Sequence, residues 1–144
     1  TKVGALFGEA VVFKSEEMHR SFRYAIKQHG GMLAKGRLLG IQFEQLLKGG
    51  DDCLYFSLAR HANAMAAKIR AAFESKGIEM WIDSPTNMQF PILTKEQQAI
   101  LGEKFVPEFW GKCDGERDIV RFCTSWATKP ENVDSLCEYI EKML

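Results

Sequence analysis

Apolar positions recur at helical spacing in some segments and gather into short β-like runs in others, and these divide the chain into elements. From residue 54 onward, Leu58, Ala62, Met65, Ala66, Ile69, Ala72 and Phe73 recur every three or four positions. That spacing predicts an amphipathic helix, capped by Asp51 or Asp52 and closed at Lys76-Gly77. Residues 78–82 and 88–93 are short β-like runs separated by the turn-forming Asp83-Ser84-Pro85-Thr86-Asn87. Thr94-Lys95-Glu96-Gln97 spells a capping box for a helix that reaches about residue 104. Strands over about 108–112 and 119–124 flank Asp114-Gly115. Thr128-Lys129-Pro130-Glu131 is a second capping box, opening a final helix with Val133, Leu136, Cys137, Ile140 and Leu144 on its apolar face. The order helix, strand, strand, helix, strand, strand, helix predicts an α+β layer. Its sheet has three or four antiparallel or mixed strands, covered on one face by helices.

The first fifty residues follow a different pattern. Gly4 and Gly8 punctuate an apolar stretch that suits a turn feeding a buried strand over 9–13. Ser15, followed by Glu16 and Glu17, predicts the start of a helix over about 16–28. His29-Gly30-Gly31 interrupts it, a second helix runs over 32–47, and Gly49-Gly50 ends that one. Gly36 and Gly40 fall inside this second helix, where each costs about 1 kcal/mol, so a closely approaching backbone is expected there. Residues 1–47 do not close a core of their own and are expected to lean on material upstream of Thr1, as if the chain were cut from something longer.

With 46% hydrophobic and 26% charged residues, the composition is that of a folded globular protein. Nineteen basic residues balance nineteen acidic ones, so no net field draws the chain to nucleic acid or to an acidic membrane surface. The longest apolar runs, over 10–13 and 90–93, are far below the about 20 residues that span a bilayer. The expectation is a soluble, cytoplasmic protein. Cys53, Cys113, Cys123 and Cys137 form no CxxC pair and do not complete zinc-ligand spacing with His19, His29 or His61, so no metal site is expected. They read as reduced packing cysteines. The sequence leaves disulfides open, although dispersed thiols suit a reducing compartment.

Thr1-Lys2-Val3-Gly4-Ala5-Leu6-Phe7-Gly8-Glu9-Ala10 resembles the cofactor-lysine segment of low-specificity L-threonine aldolases and related β-eliminating lyases, which use pyridoxal 5'-phosphate on fold type I. His29-Gly30-Gly31-Met32 resembles that family's glycine-rich helix break, and 83–87 with Phe90-Pro91 resembles its small-domain strand entry. Val120-Arg121-Phe122-Cys123-Thr124-Ser125-Trp126 resembles its carboxylate-binding strand. The segments recur in the expected order along almost all the chain, which is far more specific than any one of them.

The resemblance implies that residues 1–50 end the cofactor-binding large domain and include an interdomain helix, with 51–144 forming the small C-terminal α+β domain. It implies cleavage of L-threonine or L-allo-threonine to glycine and acetaldehyde by a homo-oligomer, a dimer or tetramer. By the same resemblance Lys2 is the catalytic amine that forms a Schiff base with the cofactor. A pocket of low polarity or nearby positive charge would leave it partly neutral and nucleophilic. Arg121 interrupts an otherwise apolar run, where a cation is unfavourable unless paired. By resemblance it grips the substrate α-carboxylate; the plainer alternative is an edge-strand arginine in a surface ion pair.

Where the family places an arginine near the cofactor phosphate, this chain has Leu33. Lys35 or Arg37 would then replace it, the alternative being that both are solvated. The N–H groups of Gly30 and Gly31, read as opening a helix, would favour an anion. His29 reads mainly as a helix-terminal residue and Asn87 mainly as a turn residue. The family's remaining cofactor ligands are expected upstream, leaving residues 1–144 alone inactive. Two other functions stay open: a different fold-type-I enzyme, such as a β-eliminating lyase or aminotransferase, or a non-catalytic α+β interaction module.

Overall fold

The computed structural model describes residues 3–143, so Lys2 lies outside the described residues. The chain divides into two compact units, the first ending at Tyr55 and the second beginning at Phe56. Among the described residues, no helix is long and apolar enough to cross a membrane.

In the first unit, α1 (Glu16–His19), α2 (Phe22–Gln28) and α3 (Arg37–Leu47) follow an irregular opening segment. Ser15 accepts the Met18 N–H through its side chain, as an N-cap with two following glutamates should. The expected continuous helix breaks at Ser21, whose φ of 66° is left-handed. Residues 9–13 form no strand, and Val12 is 89% exposed: an apolar, β-branched run makes a strand only when a partner edge is present. The expected tight approach at Gly36 and Gly40 is also absent. Gly36 is the N-cap of α3, where glycine is tolerated, and a Cβ on Gly40 would meet open space within this chain. Gln42 ties α3 to the opening segment, accepting the Leu6 N–H at 2.7 Å and donating to the Phe7 carbonyl at 3.2 Å. Phe13 packs edge-on against Phe22 at 4.7 Å. No described side chain before Cys53 is buried, so this unit has no core of its own.

The second unit is the expected α+β layer. A turn of 3₁₀ helix, Gly50–Asp52, leads into α4 (Leu54–Ser75), which buries Ala62, Met65, Ala66, Ile69, Ala72 and Phe73, the stripe its periodicity predicted. Gly77, at φ +71°, ends α4: its N–H bonds the Glu74 carbonyl and the Ile78 N–H bonds the Phe73 carbonyl. Ile78 and Phe73 then meet in the core, completing a Schellman closure with its hydrophobic contact.

The sheet contains β1 (Met88–Gln89), β2 (Ile92–Thr94), β3 (Glu108–Lys112) and β4 (Arg117–Cys123), all antiparallel. β1 and β2 pair with β4 in one register, Gln89 opposite Phe122 and Ile92 opposite Ile119, so they are two halves of a single strand. Pro91 divides them. Its carbonyl still accepts the Val120 N–H at 3.1 Å, but proline has no N–H to return. Residues 78–82 are reduced to a bridge between Met80 and Pro91 at the outer edge of that strand. β3 covers the opposite edge of β4, with a bulge at Trp110.

The Thr94 capping box opens α5 (Lys95–Gly102) as expected. The final helix, α6 (Pro130–Met143), starts differently from the expected box: the Thr128 hydroxyl accepts the Ser125 N–H, and the Lys129 carbonyl accepts the first helical N–H groups. The core joins Ile69 and Phe73 of α4, Leu101 of α5 and Leu136 and Ile140 of α6 to Leu93 and Val120 of the sheet. On the other face, Phe90, Ile92 and Ile119 form a smaller cluster of sheet residues, with Met88 against it.

Candidate functional site

Alternation along β4 sorts its side chains between those two faces. Val120 and Phe122 join the helical side, where the Phe122 ring lies 5.3 Å from that of Phe73. Ile119 belongs to the cluster on the other side, and Arg121 follows it in the strand's period of two. This puts a guanidinium on the aromatic face of the sheet. β4 is paired along both edges, so Arg121 is on a central strand and not on an edge.

Three groups satisfy the cation. Nε donates to Glu108 Oε2 at 3.1 Å, and Nη2 donates to the same oxygen in an ion pair. Glu108 is the direct cross-strand partner of Arg121, the position where opposite charges stabilise an antiparallel pair. The guanidinium carbon lies 4.7 Å from the centre of the Trp110 ring, a cation–π contact. Among the described residues, Nη1 has only a weak acceptor, the Met88 sulfur at 4.0 Å. The Arg121 side chain keeps 24% of its exposure. Trp110 in turn packs on Phe90 at 5.3 Å, and Phe90 on Trp81 at 5.8 Å, so the aromatic row ends at the arginine. Chemically this is a fixed planar fork, the group suited to a carboxylate.

Gly30, Gly31 and Lys35 lie together on the link between α2 and α3 in the first unit, whereas Arg121 is in the second. The glycines close a helix instead of opening one. Gly30, at φ +75°, bonds the Lys27 carbonyl at 3.1 Å, and the Gly31 N–H bonds the Ile26 carbonyl at 2.8 Å. This is a second Schellman closure, and it consumes the two N–H groups expected to face an anion. Lys35 is exposed in the turn before α3, and Arg37 is exposed at its start. His29 is the C-cap of α2. Asn87 is a structural turn residue: its amide donates to the Thr124 carbonyl at 2.6 Å.

His61 contacts the Thr128 carbonyl at 2.8 Å and joins α4 to the loop before α6. All four cysteines are free thiols, and among the described residues no His, Cys, Asp or Glu cluster could hold a metal. Sequence reasoning singled out Arg121 but missed Glu108 and Trp110. A signal was present: counting back equally on either side of Asp114-Gly115 sets Glu108 opposite Arg121.

The architecture defines a small α+β domain whose antiparallel sheet is covered by helices on one face and carries an arginine on the other. It matches the C-terminal part of a threonine aldolase. A solved structure of the Leishmania major threonine aldolase is similar over 84% of this chain, at 39% identity and a TM-score of 0.75. The matched region is 34% of that protein, so this chain spans about a third of its length. No family model matches the sequence, and no curated protein matches it.

Proposed function

We propose that this chain is the C-terminal part of a pyridoxal-phosphate-dependent aldolase that cleaves L-threonine or L-allo-threonine to glycine and acetaldehyde. The likeness to a threonine aldolase at 39% identity carries the reading, and Arg121 supports it. When bound, the cofactor takes up the negative charge left on Cα as the Cα–Cβ bond breaks.

The chain's own residues then divide the remaining work. Lys2 supplies the amine that attaches the cofactor. Arg121 binds the substrate carboxylate and so orients the scissile bond, since holding a reactant in one pose removes much of the entropic barrier. The side chain suits that task because its charge is permanent and Trp110 packs against its guanidinium. Lys35, an exposed ammonium, suits the cofactor phosphate in place of the family arginine. With their N–H groups taken up by α2, Gly30 and Gly31 contribute the tight turn that ends that helix ahead of Lys35. On this reading residues 1–50 finish the cofactor-binding domain, 51–144 form the small domain, and the whole enzyme is a homo-oligomer.

The test is the full-length protein supplied with cofactor and L-threonine. Acetaldehyde and glycine should form in equal amounts. Release of ammonia or a keto acid instead would identify a different enzyme of the same fold, and no turnover of any amino acid would leave an interaction module. A Lys2→Ala variant that kept the cofactor's bound absorbance would remove the lysine from its assigned role.

A further inference from the structure

We infer that Glu108 and Trp110 are positioning residues for substrate binding, acting through Arg121; this rests on the carboxylate-binding role proposed for Arg121. A guanidinium has two edges that can each form a paired contact: the side edge, Nε with Nη2, and the end edge, Nη1 with Nη2. Glu108 occupies the side edge through a single oxygen, Oε2. The guanidinium carbon sits over the Trp110 ring, 4.7 Å from its centre. Among the described residues Nη1 reaches nothing stronger than a thioether at 4.0 Å, which leaves the end edge for a ligand.

The backbone shows how both groups come to be there. β3 and β4 pair Glu108 with Arg121 and Phe109 with Val120, then shift by one residue, so that Gly111 faces Ile119. Trp110 is the extra residue of that β-bulge, the device that re-aims a side chain out of strict alternation. In a regular ladder Glu108 and Trp110 would share a face two residues apart, and Trp110 would stand opposite Ile119. With the bulge, its ring lies over the guanidinium carbon of Arg121 and against Phe90. An unheld arginine has several rotatable bonds, and ordering them on binding weakens affinity. Glu108 and Trp110 order them beforehand.

The two residues should therefore govern affinity for the carboxylate more than the rate of bond breaking. In the full-length enzyme with L-threonine, Glu108→Ala should raise KM by about tenfold, the scale of a lost charge-assisted hydrogen bond, with kcat within about twofold. Trp110→Ala should raise KM by about threefold to tenfold, and Trp110→Phe, which keeps a ring, should recover most of that loss. Inhibition by an amino alcohol with no carboxylate should be the same in all variants, which a general loss of structure would not allow.

Arg121→Ala is the control for the underlying reading. If it leaves KM for L-threonine unchanged, the carboxylate role fails, and this inference fails with it. If Arg121→Ala raises KM but Glu108→Ala leaves it unchanged or lowers it, Arg121 stands and the positioning inference is overturned; a lowered KM would mark Glu108 as a competitor for the fork. Should Glu108→Ala fold poorly, Glu108→Gln answers the same question. It keeps one acceptor oxygen and should give a KM between the parent and the alanine variant.

Discussion

Phe73 offers the most direct test of how the sheet is held in place. It is fully buried, at 0% exposure, and its ring meets that of Phe122 at 5.3 Å with the planes tilted by 48°. Replacing it with alanine removes the whole ring from a core that cannot collapse around the gap, a loss of about 3–5 kcal/mol. That is a large share of the roughly 5–15 kcal/mol by which whole domains are stable, so Phe73→Leu is the more informative change. Leucine refills part of the volume, and the expected cost is about 1–2 kcal/mol. An additional aromatic pairing contribution of about 0.5–1.5 kcal/mol should emerge as coupling in a double-mutant cycle with Phe122→Leu.

The assay is urea unfolding followed by tryptophan fluorescence. All three tryptophans, Trp81, Trp110 and Trp126, lie in the second unit, so the signal reports the unit that contains Phe73. With a slope of about 1 kcal/mol per M for a unit of this size, Phe73→Leu should lower the midpoint by about 1–2 M. A midpoint within about 0.3 M of the parent, or a cycle with no coupling, would refute the claim that this ring pair clamps α4 to β4.

Three further outcomes follow from other parts of the fold. Gly77→Ala should destabilise the second unit by about 1–2 kcal/mol, because φ of +71° is left-handed and an L side chain is strained there although space is open around it; Gly77→Asn should lose less, and thermal melts of both compare them. Asp118 is held below the usual carboxylate range chiefly by its hydrogen bond from Lys95, with Gln98 adding to it, while burial pushes the other way. Its lowered folded-state pKa means this stabilisation is complete above the unfolded value of about 3.9 and fades as pH falls through the folded one. Asp118→Asn should therefore melt lower than the parent at pH 7, with the gap closing below about pH 4. Under native conditions the exposed Cys113 and Cys123 should be alkylated by iodoacetamide well before Cys53, which is 1% exposed, and mass spectrometry of digests would show the order. Cys137, whose thiol is pushed up mainly by burial, should also lag.

Much of the second unit was legible in the chain because its elements state their own period. The stripe of α4 and the Thr94 capping box are local patterns, and both survive into the structure. The two strands that failed depended on partners. Residues 9–13 are apolar and β-branched like a buried strand but have no edge to pair with among the described residues, and 78–82 keep only one bridge at the rim of the sheet. Gly30-Gly31 was misread for a different reason. A glycine pair lies between two helices, and whether it ends the first or opens the second depends on the sign of φ and on which carbonyls its N–H groups reach. Those carbonyls belong to α2, which makes the pair a stop signal.

The same distinction separates the arginine from the residues that hold it. Arg121 is visible in the sequence because a permanent charge between Val120 and Phe122 conflicts with its neighbours. Glu108 and Trp110 are ordinary on a strand and become significant only once the register around Asp114-Gly115 and the bulge after Phe109 are known. Successive residues on β4 answer to different demands. Phe122 is fixed by the core at Phe73, and that anchorage determines which way Arg121 must face. Arg121 is therefore positioned twice, by the packing behind its strand and by the carboxylate and indole beside it. Mutations at Phe73 should act through the first route and mutations at Glu108 through the second, so the former should reduce stability before affinity and the latter affinity before stability.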